Sequence, residues 1–210
     1  MILRDLELFL SDNSTPEDPV LEDLYRQTHI RFVNPNMVSG HIQGKLLEFL
    51  SRMINPGKIL EIGTYTGYSA ICLAKGLRPG GTLYTIESND ELSEFSRSYF
   101  IKAGVDSSIV QLTGRAQDIV PELHCMFDLV YIDGDKREYC DYYSIVKNKT
   151  KSGGFIIADN VLWGNKVLGK NSHDPQTAGI SDFIEMIRSQ NDVEKLIIPV
   201  RDGLMLIRKI

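Results

Sequence analysis

Short apolar runs alternate with helical segments over most of this chain, and this alternation constrains its fold more than any other feature. The runs predicted as strands lie at residues 58–62, 82–86, 109–112, 127–132, 155–158, 196–199 and 204–208. Alternation of strands and helices predicts a mostly parallel sheet covered by helices on both faces. Only the four residues 200–203, which include Arg201, Asp202 and Gly203, separate the last two runs, so we expect a hairpin and an antiparallel carboxyl-terminal strand.

The composition is typical of one globular domain. The 210 residues are 42% hydrophobic and 24% charged, which is sufficient for a sizeable core. The formal net charge of −5 provides no basic surface for non-specific binding to nucleic acid or to an anionic membrane. We expect a cytoplasmic protein with reduced thiols, because the 3 cysteines have no CxxC spacing and neither a secretory signal nor a membrane span is evident.

Two of the predicted strands end abruptly in oxygen-bearing side chains. Asp133 follows the run at 127–132, and Asp159 and Asn160 follow the run at 155–158. If these strands are adjacent and parallel, about 4.8 Å apart, the three side chains converge at one edge of the sheet. Such hard oxygen donors indicate a divalent cation, and Lys136 beside them indicates that the site also moves a proton. Mg²⁺ is our first choice, although Ca²⁺ or Mn²⁺ accepts the same ligands.

A glycine-containing turn follows the first strand. The segment from Glu61 to Ser69 has the form ExGxxxG, with Gly63 and Gly67 placed where a ligand approaches the backbone closely. The segment lacks the full GxGxxG spacing of a dinucleotide site. Glu87 ends the second strand twenty residues after Gly67, where a carboxylate can accept hydrogen bonds from both hydroxyls of a ribose.

Each pattern also has a plainer interpretation. The glycine segment is compatible with a tight strand-to-helix turn, and Glu87 with a solvated side chain. Asp159 and Asn160 are residue types that cap turns and helices, and an isolated lysine such as Lys136 is more often a surface residue than a base. The joint occurrence of these patterns in one order favours the functional interpretation.

Together the motifs resemble the cation-dependent O-methyltransferases of the caffeoyl-CoA and catechol type, in their small bacterial form. The resemblance covers the chain from about Met37 to Gly203. It implies an α/β, Rossmann-like S-adenosylmethionine methyltransferase fold, with a mostly parallel seven-stranded sheet and an antiparallel carboxyl-terminal strand. It also implies a single domain over 1–210, in which helices within 1–50 border the substrate pocket and form dimer contacts. Residues 58–210 would then form the cofactor- and metal-binding core.

The resemblance also implies a role for each site residue. S-adenosylmethionine would be bound by Met37, Val38, Ser39, Glu61, Gly63, Tyr65, Gly67, Ser69, Glu87, Ala116 and Asp133. The metal ligands would be Asp133, Asp159 and Asn160, and the catalytic residues Lys136 and Asp133. Trp163 and Lys136 would line the substrate pocket. Independently of the resemblance, the irregular and polar stretch 163–179 directly follows Asp159 and Asn160, so we expect a loop there that covers the metal.

The predicted activity is methyl transfer to a hydroxyl of a catechol-like or hydroxylated aromatic small molecule by a homodimer. One alternative is methylation of a 5-hydroxyuridine-type base in tRNA. That alternative requires a basic rim, for which the candidates are Arg137, Lys147, Lys149, Lys151, Lys166 and Lys170. A second alternative is a non-catalytic nucleotide-binding domain, which predicts that a metal ligand or the base is missing.

Overall fold

A computed structural model describes residues 2–169 and 174–210, and these residues form one mixed sheet with helices on both of its faces. The strands are β1 (Lys58–Ile62), β2 (Thr82–Glu87), β3 (Ile109–Thr113), β4 (Phe127–Ile132), β5 (Thr150–Ala158), β6 (Val193–Ile198) and β7 (Leu204–Lys209). Their order in the 7-stranded sheet is β3-β2-β1-β4-β5-β7-β6. Strands β1 to β5 pair in parallel, whereas β7 is antiparallel to both β5 and β6. The predicted fold class is therefore confirmed.

The helices divide between the two faces of the sheet. They are α1 (Ile2–Asp12), α2 (Pro19–Arg31), α3 (His41–Ile54), α4 (Tyr68–Ala74), α5 (Ser93–Lys102), α6 (Ala116–Glu122), α7 (Tyr139–Lys149) and α8 (Pro175–Arg188). Side chains of α6, α7 and α8 form one apolar core, and those of α2 to α5 form another. Successive strand residues contribute to opposite cores, as Ile59 and Leu60 do, because side chains alternate along a strand.

Several predicted boundaries differ from the structure. β5 begins at Thr150 rather than at Phe155. The sequence did not indicate this earlier start, because the added residues include Gly153 and Gly154 and lack an apolar pattern. The sequence also predicts helices over 69–77 and 90–103. In the structure the first ends at Ala74, and the second begins with a separate short turn. In the part of the chain that the structure describes, no helix is long and apolar enough to cross a lipid bilayer.

The amino-terminal helices differ in how much apolar surface they bury. The sequence pattern predicts that Leu6, Leu10, Leu21 and Leu24 form apolar helical faces that pack on the core. Leu21 and Leu24 of α2 do so. The prediction is wrong for Leu6 and Leu10 of α1, which are 51% and 40% exposed. α1 contacts α3.

The register of the sheet determines where the functional side chains lie. Ile132 of β4 pairs with Ile62 of β1 on one side and with Ala158 of β5 on the other. Two further hydrogen bonds extend this pairing by one residue, from Asp133 N to Ile62 O (2.8 Å) and from Asp159 N to Ile132 O (2.9 Å). Asp133 and Asp159 therefore leave neighbouring strands at the same edge of the sheet.

Candidate active site

A cavity of about 870 Å³ opens at the carboxyl ends of the parallel strands. Its size falls within the range of about 300–1,000 Å³ that is usual for small-molecule sites. Most of the predicted site residues line it: Met37, Val38, Ser39, Gly63, Tyr65, Ser69, Glu87, Ala116, Asp133, Lys136, Asp159, Asn160 and Trp163. The sequence-predicted cofactor, metal and substrate residues thus surround one space.

Two predicted residues, Glu61 and Gly67, support the wall of the cavity from behind. The buried carboxylate of Glu61 accepts hydrogen bonds from Ser69 Oγ (2.6 Å) and Thr85 Oγ1 (2.5 Å). Gly67 precedes α4, and a Cβ atom there would lie 2.6 Å from the ring of Phe100. Glu61 positions a residue of the cavity wall, while direct contact of Glu61 or Gly67 with the cofactor stays a prediction.

The Glu87 carboxylate is fixed at the end of β2 by backbone donors. The N–H of Tyr65 donates to Oε2 (2.8 Å), and the N–H of Asn89 donates to Oε1 (3.0 Å). Tyr65 reaches this position with a left-handed backbone, at φ +48°. Glu87 is therefore held in one orientation while it still lines the cavity.

Asp133 and Lys136 form a buried ion pair at the other end of the cavity. Lys136 Nζ lies 2.7 Å from Asp133 Oδ1, and the lysine side chain is only 7% exposed. Burial raises the pKa of Asp133 to about 6, the positive charge of Lys136 opposes this shift, and the negative charge of Asp159 adds to it. Lys136 Nζ also donates to the hydroxyl of Tyr139 (2.7 Å), which in turn donates to the backbone carbonyl of Asp159 (2.9 Å).

The carboxylate of Asp159 is enclosed by protein donors. Its Oδ1 accepts a hydrogen bond from the backbone N–H of Asn160 (2.7 Å). Its Oδ2 accepts hydrogen bonds from the hydroxyl of Tyr131 (2.5 Å) and from the side-chain amide of Gln43. Asn160 has a left-handed backbone at φ +55° and lines the same cavity.

The chemistry of this donor set fits a divalent cation. Asp133, Asp159 and Asn160 line the same cavity, and their carboxylate and amide oxygens are the hard donors that a divalent cation prefers. The described residues contain no group of three or more His, Cys, Asp or Glu side chains placed to hold a metal. The predicted set instead combines two carboxylates with the amide of Asn160, and its role as a metal site stays a prediction.

Trp163 begins the irregular stretch at the cavity mouth. Its indole N–H donates to Oδ2 of Asp174 (3.2 Å), and Asp174 is the N-cap residue of α8. The backbone N–H of the next residue, Gly164, donates to Oδ1 of Asp202 (2.6 Å). The loop predicted over 163–179 is shorter in the structure, because α8 begins at Pro175, and residues 170–173 lie outside the described part of the chain. Trp163 is thus held between α8 and the β6–β7 turn.

Some residues of the site were not predicted as members of it. Tyr131 lies two positions before Asp133, and the alternation of side chains along β4 was a signal that both point to one face. Tyr139 lies three positions after Lys136, at the start of α7. Arg201 lines the cavity from the β6–β7 turn and donates from Nη1 to Val38 O (2.9 Å), and no local pattern indicates this contact.

This fold and site define a methyltransferase class. A seven-stranded Rossmann-like sheet with an antiparallel last strand carries a cavity at its carboxyl edge, and an acidic residue ends β2. A family model described as O-methyltransferase matches residues 11–210. The chain therefore belongs to the O-methyltransferase family, and the predicted enzyme class is confirmed.

Individual relatives agree with this assignment. A catechol O-methyltransferase of Niastella koreensis is 34% identical over 79% of this chain and 74% of the relative. Caffeoyl-CoA O-methyltransferase 1 of Zea mays is 30% identical over 98% of this chain and 85% of the relative. The crystal structure of the O-methyltransferase TomG from Streptomyces achromogenes, in complex with S-adenosylmethionine, superposes with a TM-score of 0.91. It is 33% identical, and the match covers 98% of this chain and 96% of TomG.

Proposed function

We propose that the protein is an S-adenosylmethionine- and divalent-cation-dependent O-methyltransferase that acts on a catechol-like or hydroxylated aromatic small molecule. One observation carries the proposal. A single cavity is lined by the predicted nucleoside-binding residues Glu87 and Ala116 and by the acidic pair Asp133 and Asp159 with Lys136. A methyl donor and a hydroxyl acceptor can therefore occupy neighbouring parts of one site.

The cofactor part of the cavity suits S-adenosylmethionine, which supplies a methyl group already activated by its sulfonium. Glu87 accepts hydrogen bonds from the ribose hydroxyls, since backbone donors fix its carboxylate in the wall. Ser69 and the segment from Met37 to Ser39 border the same space and are assigned to the methionine end. The bound S-adenosylmethionine in TomG, whose fold this chain shares, supports the choice of cofactor.

The acceptor part of the cavity suits the deprotonation of a phenolic hydroxyl. Such a hydroxyl titrates near 10 and is mostly protonated at neutral pH. A divalent cation held by Asp133, Asp159 and Asn160 would stabilise the oxyanion electrostatically. Lys136 is assigned as the proton acceptor once it has released the proton it carries in the ion pair with Asp133, and Asp133 and Tyr139 hold its Nζ in place. The protein then aligns oxygen, methyl carbon and sulfur, a contribution of several kcal/mol.

The positions of the candidate basic residues favour a small acceptor over tRNA. Lys147 and Lys149 lie in the last turn of α7, and Lys151 follows at the beginning of β5. The cavity lies beyond the other end of β5, about 25 Å away for a strand of 9 residues. These three lysines therefore do not extend the rim of the cavity.

The other candidates for a basic rim either form ion pairs or lie outside the residues that the structure describes. Arg137 pairs with Asp135, and Lys166 pairs with Asp174 at 3.3 Å. Lys170 lies outside the described residues. With a net charge of −5, this arrangement offers little attraction to RNA phosphates. Membership in an enzyme family argues against the non-catalytic alternative.

The proposal includes one domain over 1–210 and a homodimer in which helices within 1–50 take part. The family match over residues 11–210 supports the first point. The exposed apolar side chains of α1, among them Phe9 at 63%, are consistent with the second.

The reaction is tested with purified protein and radiolabelled S-adenosylmethionine. A small catechol and hypomodified tRNA are offered in parallel, with Mg²⁺ and with EDTA. We expect label on the catechol only, and only with Mg²⁺. Label on neither acceptor with Mg²⁺ present would count against the proposed reaction, label on tRNA alone would favour the alternative acceptor, and transfer in EDTA would contradict the cation dependence.

The metal assignment is tested by Asp133→Ala. We expect near-complete loss of turnover with cofactor binding largely retained, because Asp133 lies at the acceptor end of the cavity. Turnover is measured with the labelled donor and cofactor binding by titration calorimetry. Asp192→Ala is the matched control, since Asp192 is exposed and pairs with Lys147 away from the cavity. Equal weakening of cofactor binding and turnover would mean that Asp133 mainly maintains the cofactor pocket.

A further inference from the structure

The carboxylate of Asp159 is held by two side chains that come from distant parts of the sequence. We propose that Gln43 and Tyr131 are positioning residues that orient Asp159 for a divalent cation. Gln43 belongs to the first turn of α3, 116 positions before Asp159, and Tyr131 belongs to β4, 28 positions before it. The inference rests on the proposed cation dependence, and its test separates the two.

The three side chains form a closed and buried hydrogen-bonded triangle. Gln43 is 1% exposed, Tyr131 is fully buried and Asp159 is 2% exposed. Tyr131 donates its hydroxyl to Asp159 Oδ2 (2.5 Å), and Gln43 Nε2 donates to the same oxygen and to the Tyr131 hydroxyl (3.3 Å). A buried polar group without hydrogen-bond partners is costly, so the triangle stabilises the Asp159 carboxyl group inside the protein.

The two carboxylate oxygens of Asp159 accept different numbers of hydrogen bonds, which assigns them different roles. A carboxylate oxygen has two lone-pair positions. Oδ2 accepts from both Tyr131 and Gln43, which fills it, whereas among the described residues Oδ1 accepts only from the backbone N–H of Asn160. Oδ1 therefore keeps accepting capacity beside Asn160, and the donors on Oδ2 prevent the carboxylate from rotating. Outer partners of this kind typically change metal affinity by about 10–100-fold when they are removed.

Gln43 has one competing role. It lines the cavity and follows the segment from Met37 to Ser39, which we assign to the methionine end of the cofactor. A contact with the cofactor would then explain its position. Its amide nitrogen, however, is already directed at Asp159 and Tyr131, which favours a role at the metal end.

The experiment measures Mn²⁺ binding, using the free-ion signal in electron paramagnetic resonance. The variants are Tyr131→Phe and Gln43→Met, each of which keeps the approximate shape of the side chain and removes the donor. Tyr143→Phe is the matched control, because Tyr143 is also buried and loses one hydroxyl bond, to Gln190 (2.8 Å), away from the cavity. S-adenosylhomocysteine affinity is measured by calorimetry without metal.

We expect the dissociation constant for Mn²⁺ to rise about tenfold or more in Tyr131→Phe and in Gln43→Met, and to stay unchanged in Tyr143→Phe. S-adenosylhomocysteine affinity should remain within about twofold of the wild type. Wild-type Mn²⁺ affinity in both variants would overturn the inference and leave the proposed function intact. Weakened cofactor binding with unchanged Mn²⁺ affinity would overturn it in favour of a cofactor role. Failure of the wild-type protein to bind Mn²⁺ would overturn the cation dependence itself. If Tyr131→Phe does not fold, Gln43→Met decides.

Discussion

At the scale of single residues, Glu61 combines complete burial with a structural task. Its carboxylate accepts hydrogen bonds from Ser69 and Thr85, and both favour the charged form. Burial outweighs them and raises the pKa of Glu61 from its usual 4.5 to about 8. The folded protein therefore binds a proton at Glu61 that the unfolded chain has already released at neutral pH.

This shift predicts a particular dependence of stability on pH. Because the pKa is higher in the folded state, the stabilisation at Glu61 is complete below about pH 4.5 and is lost as the pH rises to about 8. Glu61→Gln removes the titrating group and keeps the shape. We expect the free energy of unfolding to fall less between pH 5 and pH 8 in the variant than in the wild type, by on the order of several kcal/mol. Urea unfolding at both pH values measures the difference.

Glu48→Gln provides the comparison for Glu61. Hydrogen bonds and charges from Lys45 and Arg52 outweigh the opposing effect of burial and lower the pKa of Glu48. The stabilisation at Glu48 is thus already present at pH 5, so this variant should keep the wild-type slope between pH 5 and pH 8. Identical slopes in Glu61→Gln and in the wild type would mean that Glu61 is ionised in the folded protein.

At the scale of elements, the site depends on how closely the ends of β1 and β4 approach. Gly63 leaves β1 with a left-handed backbone at φ +98°, and a Cβ atom there would lie 2.3 Å from the carbonyl oxygen of Asp133. Asp133, whose carbonyl oxygen makes this close approach, also lines the acceptor end of the cavity. Glycine is therefore required at position 63, both for the left-handed turn after β1 and for the close approach of the end of β4.

Gly63→Ala should be much more harmful than the same change at Gly80. Gly80 also has a left-handed backbone, at φ +74°, but nothing lies within 4 Å of its added Cβ. We expect Gly80→Ala to cost about 1–2 kcal/mol from backbone strain alone. Gly63→Ala should cost about 1–3 kcal/mol more, because backbone atoms must move to relieve the clash. Denaturant unfolding of both variants measures the difference, and equal costs would show that the strand ends separate easily.

At the scale of the whole molecule, local patterns were sufficient for the architecture but not for the connections across it. The strand–helix alternation and the Arg201–Gly203 hairpin predicted the sheet, since each depends on neighbouring residues. The start of β5 was missed because its first residues have no apolar pattern. The contact of Gln43 with Asp159 spans 116 positions, and only the packing of α3 against the core creates it. The residues of each motif were predictable from the end of a single strand, whereas the contact between Gln43 and Asp159 was not.

Ligand binding should be visible in the stability of the whole domain. A ligand at 100 times its dissociation constant stabilises the folded state by about 2.7 kcal/mol. For a chain of 210 residues this corresponds to a rise in melting temperature of about 5–10 °C. We expect this rise with S-adenosylhomocysteine in the wild type and its loss in Glu87→Ala, because the fixed Glu87 carboxylate is assigned to the ribose hydroxyls.

The matched change for Glu87 is Glu91→Ala, which alters an exposed glutamate on the turn that follows β2. This variant should keep the full rise, since Glu91 does not line the cavity. The rise is measured within each variant, with and without S-adenosylhomocysteine, so differences in intrinsic stability between variants cancel. A full rise in Glu87→Ala would remove the ribose assignment at the end of β2, and the nucleoside would then have to bind through other residues of the wall.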